Sequence, residues 1–366
     1  MFHKFWLIIS CVLLLAFQAL AQTPQLMRVG PALEFPWGMD FLDDDRVLVT
    51  ERIGGLHLIS LSTGEASEII NLPEVVSNKQ GGLLDILAKD GFIYLCYSKD
   101  IGDGIVTAID RATLSDTALV ERKTIFETNT PSWSSVHFGC RLAIHDGYLF
   151  ASLGERGVRD NAQEAAIHDG SIIRIFPDGS LPIDNPRLPG WTQETFSIGH
   201  RNPQGMAIHP KTGAVWTHEH GPKGGDEINI IIPGANFGWP KVSHGREYGT
   251  GFKVSKTKSL PGLTDPKWVW VPSIAPSGMA FYPAKGGSSK MFPELEGSLL
   301  IGSLKFRQLY QVELAADGLP SNERVLIDKA LGRIRDVAVA RDGSILLLND
   351  ANSRTNPTGG LYRVSR

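Results

Sequence analysis

Residues 197–239 read SIGHRNPQGMAIHPKTGAVWTHEHGPKGGDEINIIIPGANFGW and concentrate polar side chains, including four histidines, around one predicted hairpin. Residues 206–208 and 214–216 are short apolar runs of the kind that form β-strands. The intervening Pro-Lys-Thr-Gly at 210–213 is a turn signal of ordinary strength. The stretch therefore predicts a β-hairpin that carries an unusual number of polar groups.

One end of this hairpin is a candidate site. In an antiparallel pair, the start of the first strand lies beside the end of the second. We therefore expect Arg201 and Asn202, which precede the first strand, to meet His220, Gly221 and Pro222, which follow the second.

The hairpin belongs to a repeat. A glycine-containing entry, a short apolar strand, a turn and a second apolar strand recur six times. The copies begin at Trp37, Gln80, His137, Asn202, Pro276 and Arg333. Propeller blades of four strands take about 40 to 50 residues each. The repeat thus predicts an all-β fold, a single six-bladed β-propeller over residues 22–366, with loop insertions on the active-site face.

Circular closure would bring the six equivalent hairpin ends around one axis. The residues at those ends are mostly cationic: Gln80, His137, Arg141, Glu155, Arg156, Arg201, Asn202, His220, Gly221, Pro222, Lys305, Arg333 and Arg335. The chain as a whole has a formal charge of −3. A cationic funnel in a weakly acidic protein predicts an anionic small ligand that carries carboxylates or phosphates. Because no phosphate-binding loop is present, a polycarboxylate is a reasonable alternative.

The composition and the N-terminal segment limit the possible ligands and the cellular location of the protein. Charges are scattered, so the sequence indicates no binding of nucleic acid. Residues 1–21 have one lysine, an apolar run and a small-residue site, which are typical of a signal peptide cleaved before Gln22. We expect a periplasmic or secreted protein without membrane insertion after cleavage. The two remaining cysteines, Cys96 and Cys140, are expected to be buried thiols rather than a disulfide.

Several long motifs, in order along nearly the whole chain, resemble one family. They are QGGLLDI (80–86), HFGCRL (137–142), SLGERG (152–157), GHRNPQGMA (199–207), HEHGPKGGDEIN (218–229), ANFGWP (235–240), APSGMAFY (275–282), SLK (303–305) and RIRDV (333–337). The sequence resembles the soluble sugar dehydrogenases that depend on pyrroloquinoline quinone (PQQ), the glucose/sorbosone dehydrogenase family. Among these it is most similar to the periplasmic aldose sugar dehydrogenases. This resemblance also implies a six-bladed propeller.

The resemblance implies roles for the polar residues. His137 falls on the base that takes the proton of the anomeric hydroxyl as hydride passes to PQQ, and Arg201 falls beside the quinone oxygens. The implied cofactor-binding residues are Gln80, Arg201, Asn202, Tyr248, Lys305, Arg333 and Arg335. An aldose would be the substrate, and the electrons would pass to an external acceptor that the sequence does not identify.

The resemblance also implies two calcium sites. The main-chain carbonyls of Gly221 and Pro222 match ligands of the calcium that contacts PQQ, and Ca²⁺ prefers such oxygen ligands. Glu227 and the carbonyl of Phe237 match a second, structural site.

Three positions depart from the glucose enzymes of the family. Glu155 replaces a shorter Asp, His220 replaces a Gln, and Trp268 lies near a pocket tyrosine. These differences imply a broader aldose pocket, with Trp268 or Trp270 as possible stacking faces for the sugar.

Alternatives remain at this stage. A calcium-dependent propeller lactonase or other hydrolase would use carboxylate and amide ligands around one ion. A propeller that has lost its cofactor would be a binding module. A zinc hydrolase would use His200, His218 and His220. We expect a monomer or weak homodimer.

Overall fold

The computed structural model describes residues 24–283, 291–350 and 358–366. The predicted signal peptide lies outside these ranges. The described residues form six four-stranded antiparallel sheets and two short 3-10 helices, Arg159–Gln163 and Pro293–Leu295. The prediction of an all-β, six-bladed propeller is confirmed. No helix among the described residues has both the length and the apolar character needed to cross a membrane.

The blades follow the chain in order. Blade 1 contains β2 (Pro36–Phe41), β3 (Arg46–Glu51), β4 (Leu56–Ser60) and β5 (Ala66–Glu68). Blade 2 contains β6 (Leu83–Lys89), β7 (Phe92–Asp100), β8 (Ile105–Ser115) and β9 (Ala118–Glu127). Blade 3 contains β10 (Gly139–His145), β11 (Tyr148–Leu153), β12 (Ser171–Ile175) and β13 (Thr195–Ile198).

The second half repeats this arrangement. Blade 4 contains β14 (Pro203–Ile208), β15 (Val215–Glu219), β16 (Asp226–Ile230) and β17 (Trp268–Trp270). Blade 5 contains β18 (Pro276–Phe281), β19 (Leu299–Ser303), β20 (Gln308–Leu314) and β21 (Pro320–Asp328). Blade 6 contains β22 (Arg333–Val339), β23 (Ile345–Asp350), β24 (Thr358–Ser365) and, from the other end of the chain, β1 (Gln25–Glu34).

The pairing of β1 with β24 closes the ring. Gln25 pairs with Ser365 and Val29 with Leu361. The first strand of each blade contacts the first strand of the next, and β22 contacts β2, so six inner strands surround the axis. Every sheet therefore contacts two neighbours, and the ring of blades is closed.

Apolar clusters join neighbouring blades. Leu48 and Leu56 of blade 1 pack with Leu83 and Tyr97 of blade 2, for example, and all four are almost completely buried. Burying one such side chain contributes roughly 1.5 to 3 kcal/mol. The blades therefore depend on one another for stability.

The cysteine prediction is wrong. Cys96 on β7 and Cys140 on β10 form a disulfide, with their Cα atoms 6.4 Å apart. Both face the apolar cluster between blades 2 and 3. The sequence shows that each lies on a buried strand but not that the two strands face each other across a blade interface.

The axis is closed by a charged cluster. Arg141, predicted to line the funnel, instead lies buried at the axis, where its Nη1 is 2.9 Å from Asp85 Oδ1 and 3.0 Å from Asp336 Oδ1. Glycines on other inner strands make room for the carboxylates. A Cβ atom at Gly38 would lie 2.8 Å from Asp85 Oδ1, and one at Gly278 would lie 2.0 Å from Asp336 Oδ1.

Candidate active site

The hairpin ends meet as predicted. The His220 amide donates to Asn202 O at 3.1 Å. Arg201 Nη1 donates to His220 O at 2.9 Å and to Gly221 O at 3.0 Å. The pairing of β14 with β15 thus places a guanidinium and two main-chain carbonyls side by side at the open end of this hairpin.

Two adjoining cavities lie at this end of the propeller. The larger has a volume of about 930 Å³, and the smaller about 330 Å³. They share Gln80, Asn202, His220, Ala275 and Lys305 as lining residues. A ligand that bridges them would contact both groups of predicted site residues.

The predicted residues divide between the two cavities. The larger is also lined by Arg333 and Arg335, and the smaller by His137, Arg201, Gly221, Pro222 and Tyr248. Glu227 and Phe237 lie apart from both, beside a third, small cavity. Arg156 is buried behind His137, and neither it nor Arg141 is among the lining residues.

The larger cavity has more positive than negative charge. Arg333 and Arg335 share one carboxylate, Asp350, whose Oδ2 is 3.3 Å from Arg333 Nη2 and 2.9 Å from Arg335 Nη2. Burial opposes ionisation of Asp350, but the two guanidinium groups outweigh it and lower the pKa of that carboxyl. Lys305 is exposed and donates to a neutral acceptor, Ser273 O, at 2.9 Å. This surplus of cations favours a ligand with carboxylates.

Some lining residues were not predicted from the sequence. Gln204 donates through Nε2 to Gly139 O at 2.6 Å and accepts from Arg335 Nη1 at 3.2 Å, so it connects blades 3, 4 and 6. Trp37 forms part of the wall. Both stand in repeat entries, in NPQGM and WGM, and that shared position is the signal that could have identified them.

His137 is held with one ring nitrogen engaged. Its Nδ1 lies 2.5 Å from Glu155 Oε2, and its amide donates to Gln80 Oε1 at 2.7 Å. A carboxylate at Nδ1 favours the tautomer that is protonated there, which leaves the lone pair on Nε2. The side chain retains 15% of its surface exposed and lines the smaller cavity. His137 therefore has the arrangement of a general base.

Gly221 and Pro222 line the smaller cavity. Asp226 orients this turn, because its Oδ1 accepts from Gly221 N at 2.9 Å and its Oδ2 from Ala275 N at 2.7 Å. Burial raises the pKa of Asp226 to about 6. Each carbonyl accepts one hydrogen bond, Gly221 O from Arg201 and Pro222 O from Ser273 Oγ at 3.1 Å. The donor set suits a hard cation, provided that Arg201 moves away from Gly221 O.

The half-buried Glu227 lies beside the buried carboxylate of Glu219. It pairs across the sheet with Glu219, and both line a cavity of about 10 Å³ together with Phe237. Burial, followed by the charge of Glu219, raises the pKa of Glu227 well above its usual range. The cavity is the size of one water molecule or ion. Two adjacent carboxyl groups in such a space fit a small cation.

The tryptophan prediction is wrong. Trp268 and Trp270 belong to β17, the outer strand of blade 4, and pack in the cluster between blades 4 and 5. Trp270 Nε1 donates to Glu323 Oε2 at 2.6 Å. Neither residue lines the cavities, because the outer strand of a blade is far from the axis.

His200 and His220 have separate hydrogen-bond partners. His200 contacts Ser197 Oγ and Glu219 Oε1, at 2.9 and 3.2 Å. His220 Nε2 lies 2.6 Å from Pro276 O, and burial lowers its pKa to about 3, so it is neutral. Within residues 24–283, 291–350 and 358–366, no three His, Cys, Asp or Glu side chains form a metal-binding group. This donor pattern favours neither the zinc hydrolase nor the carboxylate-liganded lactonase.

Comparisons with known proteins agree with this geometry. Residues 33–363 match the family described as Glucose / Sorbosone dehydrogenase. The chain is 36% identical to the aldose sugar dehydrogenase YliI of Escherichia coli over 377 residues, covering 99% of this chain and 98% of that protein.

Solved structures give the same result. The chain is similar to the apo form of the soluble aldose sugar dehydrogenase from Escherichia coli, with a TM-score of 0.86, 35% identity, and coverage of 94% of this chain and 99% of the other. It is also similar to the PQQ-bound aldose sugar dehydrogenase from Streptomyces coelicolor, with a TM-score of 0.73, 26% identity, and coverage of 94% and 99%. Since the match extends over almost the whole sequence, the chain belongs to the glucose/sorbosone dehydrogenase family.

Proposed function

We propose that this protein oxidises aldose sugars at the anomeric carbon to lactones, using PQQ and calcium, and passes the electrons to an external acceptor. The observation that carries the proposal is the imidazole of His137, fixed by Glu155, in a cavity that adjoins the one lined by Lys305, Arg333 and Arg335. A base for the sugar and cations for an anionic cofactor therefore adjoin each other.

His137, Glu155 and Arg201 would have separate roles in this oxidation. Bound PQQ would supply a two-electron acceptor, with Ca²⁺ as a Lewis acid beside it. His137 Nε2 takes the proton of the anomeric hydroxyl, while the C1 hydrogen leaves as hydride and the sugar becomes a lactone. Glu155 holds the imidazolium that forms. Arg201 offers positive charge where negative charge develops on the acceptor.

The other predicted residues would hold these groups. Gln80, Asn202 and Tyr248 line the cavities and would contact the cofactor with the three cationic residues named above. The carbonyls of Gly221 and Pro222 would bind one calcium. Glu227 and the carbonyl of Phe237 would bind the second, structural calcium.

Reconstitution tests the proposal. Protein treated with a chelator is mixed with PQQ, Ca²⁺ or both, and dye reduction is followed with a panel of aldoses. We expect turnover only with both, because a calcium that contacts both protein and PQQ must bind cooperatively with it. As a control, His137→Ala should lower kcat by roughly 10²-fold or more and still bind PQQ. Lactonase activity restored by calcium alone, without an effect of PQQ, would contradict the proposal.

The setting of the enzyme is proposed with its function. We expect export as a periplasmic or secreted protein with cleavage after residue 21, so N-terminal sequencing of the exported protein should start at Gln22. Residues 22–366 would act as one domain, and light scattering should give a monomer or weak homodimer.

A further inference from the structure

Arg156 contacts the segment that carries His137. It follows β11 and is 2% exposed, although it is an arginine. Its Nη1 donates to Val136 O at 3.0 Å, and its Nη2 donates to Ser134 O at 2.5 Å. Its Cζ lies 3.3 Å from the centre of the Phe138 ring. One guanidinium therefore contacts the chain on both sides of His137.

The partners of this buried cation are neutral. Two carbonyls and an aromatic ring replace its water. Burial lowers the pKa of Arg156 to about 10, and the nearby charges of Asp169 and Glu155, which do not contact the guanidinium, offset this only in part. Burying a charge without a paired carboxylate is unfavourable, and an apolar side chain would fill the same space without that cost. What an apolar side chain would not provide is a pair of donors for the two carbonyls before His137.

His137 needs such support because its backbone is strained. Its φ is +53°, a left-handed conformation that non-glycine residues adopt at a cost of roughly 1 to 3 kcal/mol. Gln80 holds its amide and Glu155 holds its ring. The preceding carbonyls, which set the direction in which the chain enters His137, are held by Arg156.

We propose that Arg156 is a positioning residue that keeps His137 in its working place by fixing the segment 134–138. The inference rests on the proposed function for the role of His137. Arg156 is not among the residues that line either cavity, so it would act through His137 and not by touching cofactor or sugar.

Two substitutions at Arg156 separate the effect of its hydrogen-bond donors from the effect of its side-chain volume. Arg156→Met keeps an unbranched side chain but removes both donors. Arg156→Lys keeps a charge but has a single nitrogen, which cannot reproduce the planar fork. Arg111→Met is the matched control. Arg111 also stacks on a ring, Phe92, and donates to a carbonyl, Pro177 O, but in blade 2, away from the site.

The expected result is a loss of kcat without a loss of binding. A displacement of about 1 Å in a catalytic group can cost on the order of 10²-fold in rate. We expect kcat to fall about 10- to 100-fold in Arg156→Met and less in Arg156→Lys, with sugar KM and PQQ Kd within about twofold. The kcat against pH profile should shift in Arg156→Met, and Arg111→Met should behave like the wild type.

A second readout does not depend on sugar oxidation. Hydrogen exchange of amides 134–138 in the unloaded protein should become faster in Arg156→Met than in the wild type or Arg111→Met. If exchange there is unchanged, or if kcat and its pH profile are unchanged in a folded variant, the proposal is wrong. The proposal is also wrong if the loss of kcat in Arg156→Met comes with a lower Tm and weaker PQQ binding and is equally large in Arg156→Lys. If the wild type does not oxidise sugars, the proposed function fails, and faster exchange would still support the positioning of residues 134–138 by Arg156.

Discussion

The contact between Glu155 and His137 gives the most specific mutational prediction. Glu155→Gln removes the negative charge but keeps an oxygen that can accept from Nδ1. The Nδ1 to Oε2 distance of 2.5 Å marks a strong hydrogen bond, and Glu155 Oε2 also accepts from Gly157 N at 2.7 Å. Hydrogen bonds to charged groups contribute about 1.5 to 3 kcal/mol. Because the imidazole becomes charged when it takes the proton, most of this should appear in the transition state.

That range corresponds to a rate loss of roughly 10- to 150-fold. The assay is single-turnover reduction of the PQQ-loaded protein by an aldose, which isolates the chemical step from acceptor turnover. We expect the single-turnover rate constant to fall by this factor. The affinity for PQQ should stay the same, since Glu155 does not line the cavities. The rate of Glu155→Asp, which keeps the charge but has a shorter side chain, should lie between the rates of the wild type and Glu155→Gln. A Glu155→Gln rate within about threefold of the wild type would refute this account of the base.

Three further predictions address the pocket and the fold. Lys305→Met should raise the PQQ Kd about 10-fold by titration calorimetry, because a charge-assisted contact is lost, and an unchanged Kd would place Lys305 outside the cofactor site. Gly278→Ala should lower stability to denaturant by about 1 to 3 kcal/mol, since its Cβ would lie 2.0 Å from Asp336 Oδ1. Unchanged stability in Gly278→Ala would argue against the axial crowding. Burial raises the pKa of Asp40 from 3.8 to about 7, so the stability from its protonated form is complete below pH 3.8 and is lost as pH rises through about 7. Asp40→Asn should make Tm fall less between pH 5 and 8, and identical pH dependence in both proteins would contradict this reasoning.

Local signals in the sequence were enough to predict the blades. Each inner hairpin has a glycine entry and a turn close together, so the hairpin of β14 and β15 and its neighbours could be recognised one at a time. Closure by β1 on β24 was not predicted, because it joins residues at opposite ends of the chain. The disulfide was not predicted because its cysteines lie on different blades, and local signals do not show that these two strands face each other.

Side-chain direction limited the prediction of the site. The repeat placed Arg141, Arg156, Arg201 and Arg335 at equivalent hairpin ends, and the repeat alone does not distinguish them; only the family resemblance singled out Arg201 and Arg335. In the structure, Arg201 and Arg335 line the cavities, whereas Arg141 enters the axial cluster and Arg156 lies behind His137. A residue's position along a strand indicates which end of the propeller it occupies, but packing between blades decides where its side chain points.

The central claim is that this propeller breaks the C1–H bond of an aldose beside His137. The most direct measurement compares single-turnover rates of the PQQ- and calcium-loaded protein with an aldose deuterated at C1 and with the same sugar deuterated at C2. The account predicts slower reduction for the C1-labelled sugar only, together with formation of the lactone. Equal rates for both labelled sugars and the unlabelled one, or reduction without lactone formation, would contradict it.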